Sequence, residues 1–530
     1  MSGVVLRKYR IVAVAFAVAA INLITPNFAP AQNATGTSGN DWLTWGYDQE
    51  RTGWNKSETT LTKDNVSHLQ LKWKSQLSTK PVDVILSTLT APVVATIDGA
   101  RGAETLVYVV GSDNTVYALD SETGEAVWQK TFPNPLTAPK ESRSVLYQCP
   151  DTQNSTPVID KENGIIYVST SDGKLRGLDL KTGEERMQPA DFTDPFARNW
   201  SLNLIDGVIY SATARGCGGS MAHFTATDLK DPAHHTIEFY TSPGRPSGSW
   251  GRGGLVRGPQ GVYAQTADGP YDPAGGNFGE TLIDLSLKNL RLMDSFTPAN
   301  WEYLNDKDLD LGSTSPVVFP FQKQTLIASV GKESVIYLLD ANKLGGADHH
   351  TPLYQSPRLG NDEALLHDRG IWGAMATWQD DQGQRWLVMS LMGPVSKEAP
   401  PFKYTYGDTK LGSMMAVQVT ADATKGTPMI TPIWNSREMH APDPPVVANG
   451  VVYALQTGRD ATEARTAAKP GLTIGTNAIL YALDAQTGKQ LYSSENAIDS
   501  WAHFSEPVVV GDNVYVCTWD GKVYAFGLKK

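Results

Sequence analysis

The chain has 530 residues, 41% of them hydrophobic and 19% charged, with 48 glycines and 32 prolines. That balance excludes an intrinsically disordered chain and points to a packed globule with many turns. A formal net charge of −11, with no run of Lys and Arg interleaved with aromatics, excludes a nucleic-acid binder, because the phosphate backbone would be repelled.

The N-terminus reads as a secretory signal over residues 1–31. Arg7, Lys8 and Arg10 precede an apolar stretch from Ile11 to Ile24, and Ala29-Pro30-Ala31 supplies small residues that place cleavage before Gln32. The apolar stretch carries Asn22 and falls short of the ~20 residues that cross a bilayer; no later stretch is long and apolar enough to span. A soluble periplasmic or secreted protein is expected, with residues 32–40 a short flexible lead and one domain over residues 41–530. Cys149, Cys217 and Cys517 are too few for a disulfide framework, and their odd number leaves at least one thiol unpaired in a monomer. No Cys-x-x-Cys-His occurs, so covalent haem is not carried here and any electrons leave through a separate partner.

Next come repeated pairs of apolar strands. Val107-Tyr108-Val109 leads through Asp113-Asn114 into Val116-Tyr117-Ala118-Leu119-Asp120, then Thr123-Gly124 and Trp128. The pattern returns at Ile166-Tyr167-Val168 with Leu178-Asp179 and Thr182-Gly183, at Ile336 to Asp340, at Tyr481 to Asp484 with Thr487-Gly488, and at Val514 to Phe526. Alternating apolar residues joined by Asp-Gly and Asp-Asn turns predict antiparallel hairpins. First strands open on Pro92, Pro157, Pro316, Pro445 and Pro507, with weaker starts near Leu202, Gly253 and Trp372, giving about eight units. Such units cannot bury their faces alone, so the fold class expected is all-β: a single closed β-propeller of about eight four-stranded blades. Leu69-Gln70-Leu71-Lys72-Trp73 is expected to supply the last blade's outer strand. Segments before several first strands crowd a propeller's mouth, so Trp250, Trp372, His440, Trp501 and His503 are expected to converge into a wide aromatic pocket suited to a planar ligand. His234-His235 and His349-His350 are poor metal pairs, since adjacent residues on a strand point to opposite faces.

The leading Asp41-Trp42-Leu43-Thr44-Trp45-Gly46-Tyr47-Asp48, with Asn55, Asn65-Val66, Trp73 and the Leu-Asp-x-x-Thr-Gly repeats, resembles the pyrroloquinoline quinone (PQQ) repeat propellers of the quinoprotein alcohol dehydrogenase type. The resemblance implies PQQ stacked on Trp250 in Gly248-Ser249-Trp250, and a calcium ion held in part by Asp268, which stands where the family has Asn. Gly331-Lys332-Glu333-Ser334-Val335-Ile336-Tyr337 is similar to the family motif whose cation touches the quinone carbonyls, which assigns Lys332 to catalysis and cofactor binding. The stretch holding the family's base corresponds to Trp301 through Gly312, so Asp308 or Asp310 is the implied proton acceptor. Trp372 and Trp501 are taken as further cofactor contacts.

Two departures stand out. The family's adjacent Cys-Cys pair is represented at most by Cys149-Pro150, and Cys217 falls near the position of a calcium-binding Glu, so that disulfide and one ligand are expected to be lost. The implied function is an exported oxidoreductase with an alcohol-type substrate and a separate electron acceptor. The alternative is a non-catalytic propeller that acts as a scaffold for envelope proteins.

Overall fold

The Leu-Asp-x-x-Thr-Gly signature makes both a turn and a docking surface. Asp120 Oδ1 accepts the Glu122 and Thr123 backbone N–H groups, each at 2.9 Å, and Gly124 follows at φ +73°. Asp179 and Asp484 fold their turns in the same way. Bare backbone at the glycine then receives a tryptophan from the neighbouring sheet. A Cβ on Gly124 would stand 2.4 Å from the Trp73 ring, and one on Gly183 2.5 Å from Trp128. Each indole N–H donates to the carbonyl of the residue after the Asp: Trp73 to Ser121 at 2.9 Å, Trp128 to Leu180 at 2.9 Å and Trp434 to Ala485 at 2.8 Å. A repeated sequence thus becomes a repeated contact between neighbours.

The structure, a computed structural model, describes residues 41–81, 88–99, 102–139, 149, 152, 155–214, 216–243, 247–365, 369–458 and 476–529. The expected signal and lead, residues 1–40, lie outside them. The protein is an all-β propeller, and none of its sheets closes on itself. In chain order, four-stranded antiparallel sheets begin at Val93–Gly99, Val158–Asp160, Asn203–Ile205, Val256–Arg257 and Val317–Phe321. A six-stranded sheet is built on Gly370–Gln379, with Thr314–Ser315 parallel on one edge and Tyr404–Thr405 parallel on the other. A five-stranded sheet follows, in which Trp54–Asn55 runs parallel to Val446–Ala448. Uniformly four-stranded units are therefore corrected at these two sheets, where short segments pair with their edge strands. In the last sheet Val508–Val510, Asn513–Cys517 and Lys522–Leu528 are joined by Leu69–Gln76, antiparallel to Lys522–Leu528. Trp73 on that strand is the indole that docks on Gly124 of the first sheet.

Period-two alternation buries both faces of a sheet. In the first one, Val107, Val109, Tyr117 and Leu119 pack with the last sheet, while Tyr108, Val110, Val116 and Ala118 pack with the second. The leading segment then ties the innermost strands together. Trp42 pairs with Val94, Leu43 O accepts from Ile159 N, Thr52 O from Thr377 N and Gly53 O from Val447 N, and Asn55 Nδ2 donates to Val509 O. Arg51, 1% exposed, donates to Gly253 O, Thr44 Oγ1, Trp45 O and Leu202 O, so each of its three nitrogens finds an acceptor and four of its five N–H groups are bonded.

Candidate active site

The helix Trp301–Lys307 ends at Asp308, whose left-handed backbone (φ +55°) turns the chain inward. Asp310 then precedes a tight turn, Leu311–Ser313, at the inner end of the fifth sheet. Gly312 lets that turn lie directly on the fourth sheet's loop, since a Cβ there would stand 2.4 Å from the Thr266 carbonyl carbon. Trp250 N donates to Gly312 O at 2.8 Å, and Asp268 N to Asp310 Oδ1 at 3.1 Å. Lys332 N donates to Asp310 O at 3.2 Å. Backbone contacts therefore bring Trp250, Asp268, Asp310 and Lys332 to one place.

Lys332 Nζ donates to Asp308 Oδ1 at 2.9 Å, to Asp308 O at 3.0 Å and to Asp310 Oδ2, and it lies 4.7 Å from the centre of the Trp372 ring. Burial pushes the Asp310 carboxyl up to about 7 against the pull of Lys332. Burial opposes the charge on Lys332, but Asp310 and Asp308 outweigh it and raise its pKa above the ordinary lysine value. Of the two aspartates, Asp310 is the enclosed one: its side chain is 4% exposed against 46% for Asp308.

A further carboxyl, Glu280, carries no motif in the sequence. It is fully buried in the insertion between Gly261–Gln265 and Leu282–Ser286, at φ +50°. Its Oε2 accepts the Leu311 N–H at 2.6 Å, while Oε1 has no hydrogen-bond partner. Burial, then the nearby Asp310, pushes this carboxyl well above the usual range.

Trp250 is half-buried, 6.4 Å from the Trp200 ring. The Arg198 guanidinium lies 4.8 Å from the Trp200 centroid and 5.0 Å from that of Trp250. Arg252 lies between Trp200 and Phe504, at 4.8 and 5.0 Å, and donates to Phe504 O at 2.7 Å. Beneath it, burial raises Glu506 to about 7 and Asp443 to about 6, with Arg252 opposing both shifts. These buried charges had no sequence signal beyond their presence near first strands. Trp501 stacks on Trp519 of the last sheet at 4.8 Å, and His503 packs on Phe504 at 3.9 Å. His440 is held through its backbone N–H, which donates to Gln456 Oε1.

Cys149 and Cys217 form a disulfide with Cα atoms 5.2 Å apart, bridging 68 residues. The adjacent pair is absent, as the sequence implies, and a long-range bond that the sequence did not signal is present in its place. Cys517 is the buried free cysteine. Cys217 sulfur is consumed in the bond and supplies no calcium ligand.

An indole face beside fixed guanidinium charge suits a planar ligand that carries negative groups. Calcium fits poorly. It needs about six to eight oxygen ligands, whereas the Lys332 ammonium already fills the space between Asp308 Oδ1 and Asp310 Oδ2, and Glu280 Oε1 is the buried carboxyl oxygen of the cluster left without a hydrogen-bond partner. Among the described residues no group of three or more His, Cys, Asp or Glu is placed to hold a metal ion. His349 instead faces Asp294, and His350 the Thr297 carbonyl.

Comparison with known proteins finds relatives for part of the chain and the same fold for most of it. A PQQ family described as "Glucose/ethanol/alcohol dehydrogenase, beta-propeller domain" matches residues 42–194. A quinohemoprotein alcohol dehydrogenase of Comamonas testosteroni is 33% identical over 202 residues, covering 38% of this chain and 23% of that protein. Quinohemoprotein alcohol dehydrogenase ADH-IIG of Pseudomonas putida is 28% identical over 213 residues, 39% of this chain and 26% of its own. The matched stretch thus spans about a quarter of these curated relatives. In overall fold, a europium-containing methanol dehydrogenase aligns with a TM-score of 0.61 at 14% identity, over 93% of this chain and 99% of that one. The Comamonas testosteroni enzyme's structure aligns at 0.56 and 16% identity, over 93% and 81%. At those identities the structural likeness shows the fold alone.

Proposed function

We propose that this chain, which belongs to the PQQ-repeat propellers of the quinoprotein alcohol dehydrogenase type, is an exported oxidoreductase that binds PQQ over Trp250 and oxidises an alcohol-type substrate beside it. The observation that carries the reading is the single cluster joining Trp250, Asp268, Asp310, Lys332 and Trp372 through short backbone and side-chain contacts. When bound, PQQ supplies the two-electron acceptor that no side chain offers.

The chain's own residues bind, orient and move a proton. Trp250 offers a face for stacking, and Arg198 places positive charge next to it. Asp310 takes the hydroxyl proton, because an enclosed carboxyl with a pKa near neutrality is both ionised often enough and basic enough to do so. Asp308, more exposed, serves to hold Lys332. Lys332 keeps a fixed positive charge where negative charge grows during the reaction. Electrons then pass to a separate acceptor. Export is supported by the signal-like layout of residues 1–31 and by the Cys149–Cys217 disulfide, a bond that persists in oxidising compartments. Among the described residues no helix is long and apolar enough to cross a membrane.

The test is turnover. Purified protein given PQQ, a primary alcohol and an artificial electron acceptor should reduce the acceptor only when quinone and alcohol are both present. Quinone binding without turnover across a series of alcohols would contradict the enzymatic reading and favour a scaffold for envelope proteins.

A further inference from the structure

We infer that the Lys332 ammonium is the resident cation of this acidic pocket, and that quinone binding in this chain needs no added metal ion. The first half stands on geometry alone; the second rests on the quinone reading above.

The ammonium group has three N–H donors, and three acceptors meet it: Asp308 Oδ1, Asp308 O and Asp310 Oδ2. Its side chain is 5% exposed, and the Trp372 ring covers it. A metal ion bound to the same carboxylates would have to expel this saturated charge or sit next to it in a poorly solvated site, where like charges repel strongly. The remaining oxygens offer little compensation. Asp310 Oδ1 and Glu280 Oε2 each accept a backbone N–H, Cys217 is locked in a disulfide, and Glu280 Oε1, buried without a partner, is one oxygen against the roughly six to eight that calcium takes. A europium-containing methanol dehydrogenase shares this fold, and a metal-independent site would set this chain apart from that protein.

The test uses metal alone before any quinone. Chelator-treated, full-length protein is titrated with Tb³⁺, read by tryptophan-sensitised luminescence, and with Ca²⁺, read by calorimetry. The parent should show no saturable binding that Asp310→Asn removes. Lys332→Met empties the pocket of its cation and should bind Tb³⁺ about tenfold or more tighter than the parent, with the gain lost in Lys332→Met/Asp310→Asn. Lys332→Gln serves if the Met variant does not fold. Saturable parent binding abolished by Asp310→Asn, or no gain in either Lys332 variant, overturns the inference. A second arm measures PQQ binding to chelated parent with and without Ca²⁺, and the affinities should agree within about twofold; a strict Ca²⁺ requirement overturns it. Failure to bind PQQ in both conditions sinks the quinone reading, while the Tb³⁺ arm still decides the role of Lys332.

Discussion

Lys332 and Asp310 form an ion pair that is almost wholly withdrawn from water, their side chains 5% and 4% exposed. The pair sets the pH behaviour expected of the reaction. A proton acceptor works only when ionised, and burial raises Asp310 to about 7. Turnover should therefore climb as pH rises through about 7 and then level off. Asp310→Asn should abolish the climb together with most activity, whereas Asp308→Asn should keep the climb but move its midpoint down, since the Asp308 charge helps to raise Asp310. A flat profile through neutrality would assign the proton to another group.

A second titration acts on stability. Burial raises Glu506 to about 7 from an ordinary 4.5, so the folded protein holds a proton that the unfolded chain has already released between those values. The stabilising share is full below about 4.5 and is lost as pH rises through about 7. Urea midpoints should fall over that window, and Glu506→Gln should make the fall shallower by about 1–3 kcal/mol. Equal slopes in parent and variant would refute the assignment.

The docking contact between Trp73 and Gly124 links the last sheet to the first. Trp73→Ala should cost about 3–5 kcal/mol by deleting a large buried ring. Gly124→Ala should also destabilise, since a Cβ would stand 2.4 Å from that ring at a φ of +73°. Thermal melts of both variants check this; a Trp73→Ala protein that melts with the parent would mean the contact contributes nothing.

Much of this fold was legible because its repeat is local. Asp120, Asp179 and Asp484 fold their own turns, so Leu-Asp-x-x-Thr-Gly spells out a hairpin end wherever it occurs. Lys332, Asp308, Asp310 and Trp250 were picked out by a resemblance to family motifs, and the structure brings Lys332, Asp308 and Asp310 into contact. Glu280 was not, because it reaches the cluster from a long insertion that no periodicity describes. Thr314–Ser315 and Tyr404–Thr405 are too short to show alternation, so the enlarged sixth sheet was hidden. The choice between Asp308 and Asp310 depends on the left-handed turn at Asp308, a backbone property rather than a composition.

The Cys149–Cys217 bond is equally a tertiary fact, since nothing local pairs residues 68 apart. Denatured, unreduced protein should titrate one thiol, that of Cys517, and reduced protein three. Reduction should lower stability by about 2–5 kcal/mol. Three reactive thiols before reduction would remove the bond and weaken the case for export.

Equilibrium binding of PQQ to the parent and to Trp250→Ala decides whether a quinone stacks on Trp250. Stacking on an indole is worth about 0.5–1.5 kcal/mol beyond buried area, so the parent should bind and the variant should bind at least several-fold more weakly. Absence of binding to the parent at high micromolar PQQ, or equal affinity in the two proteins, would contradict the account.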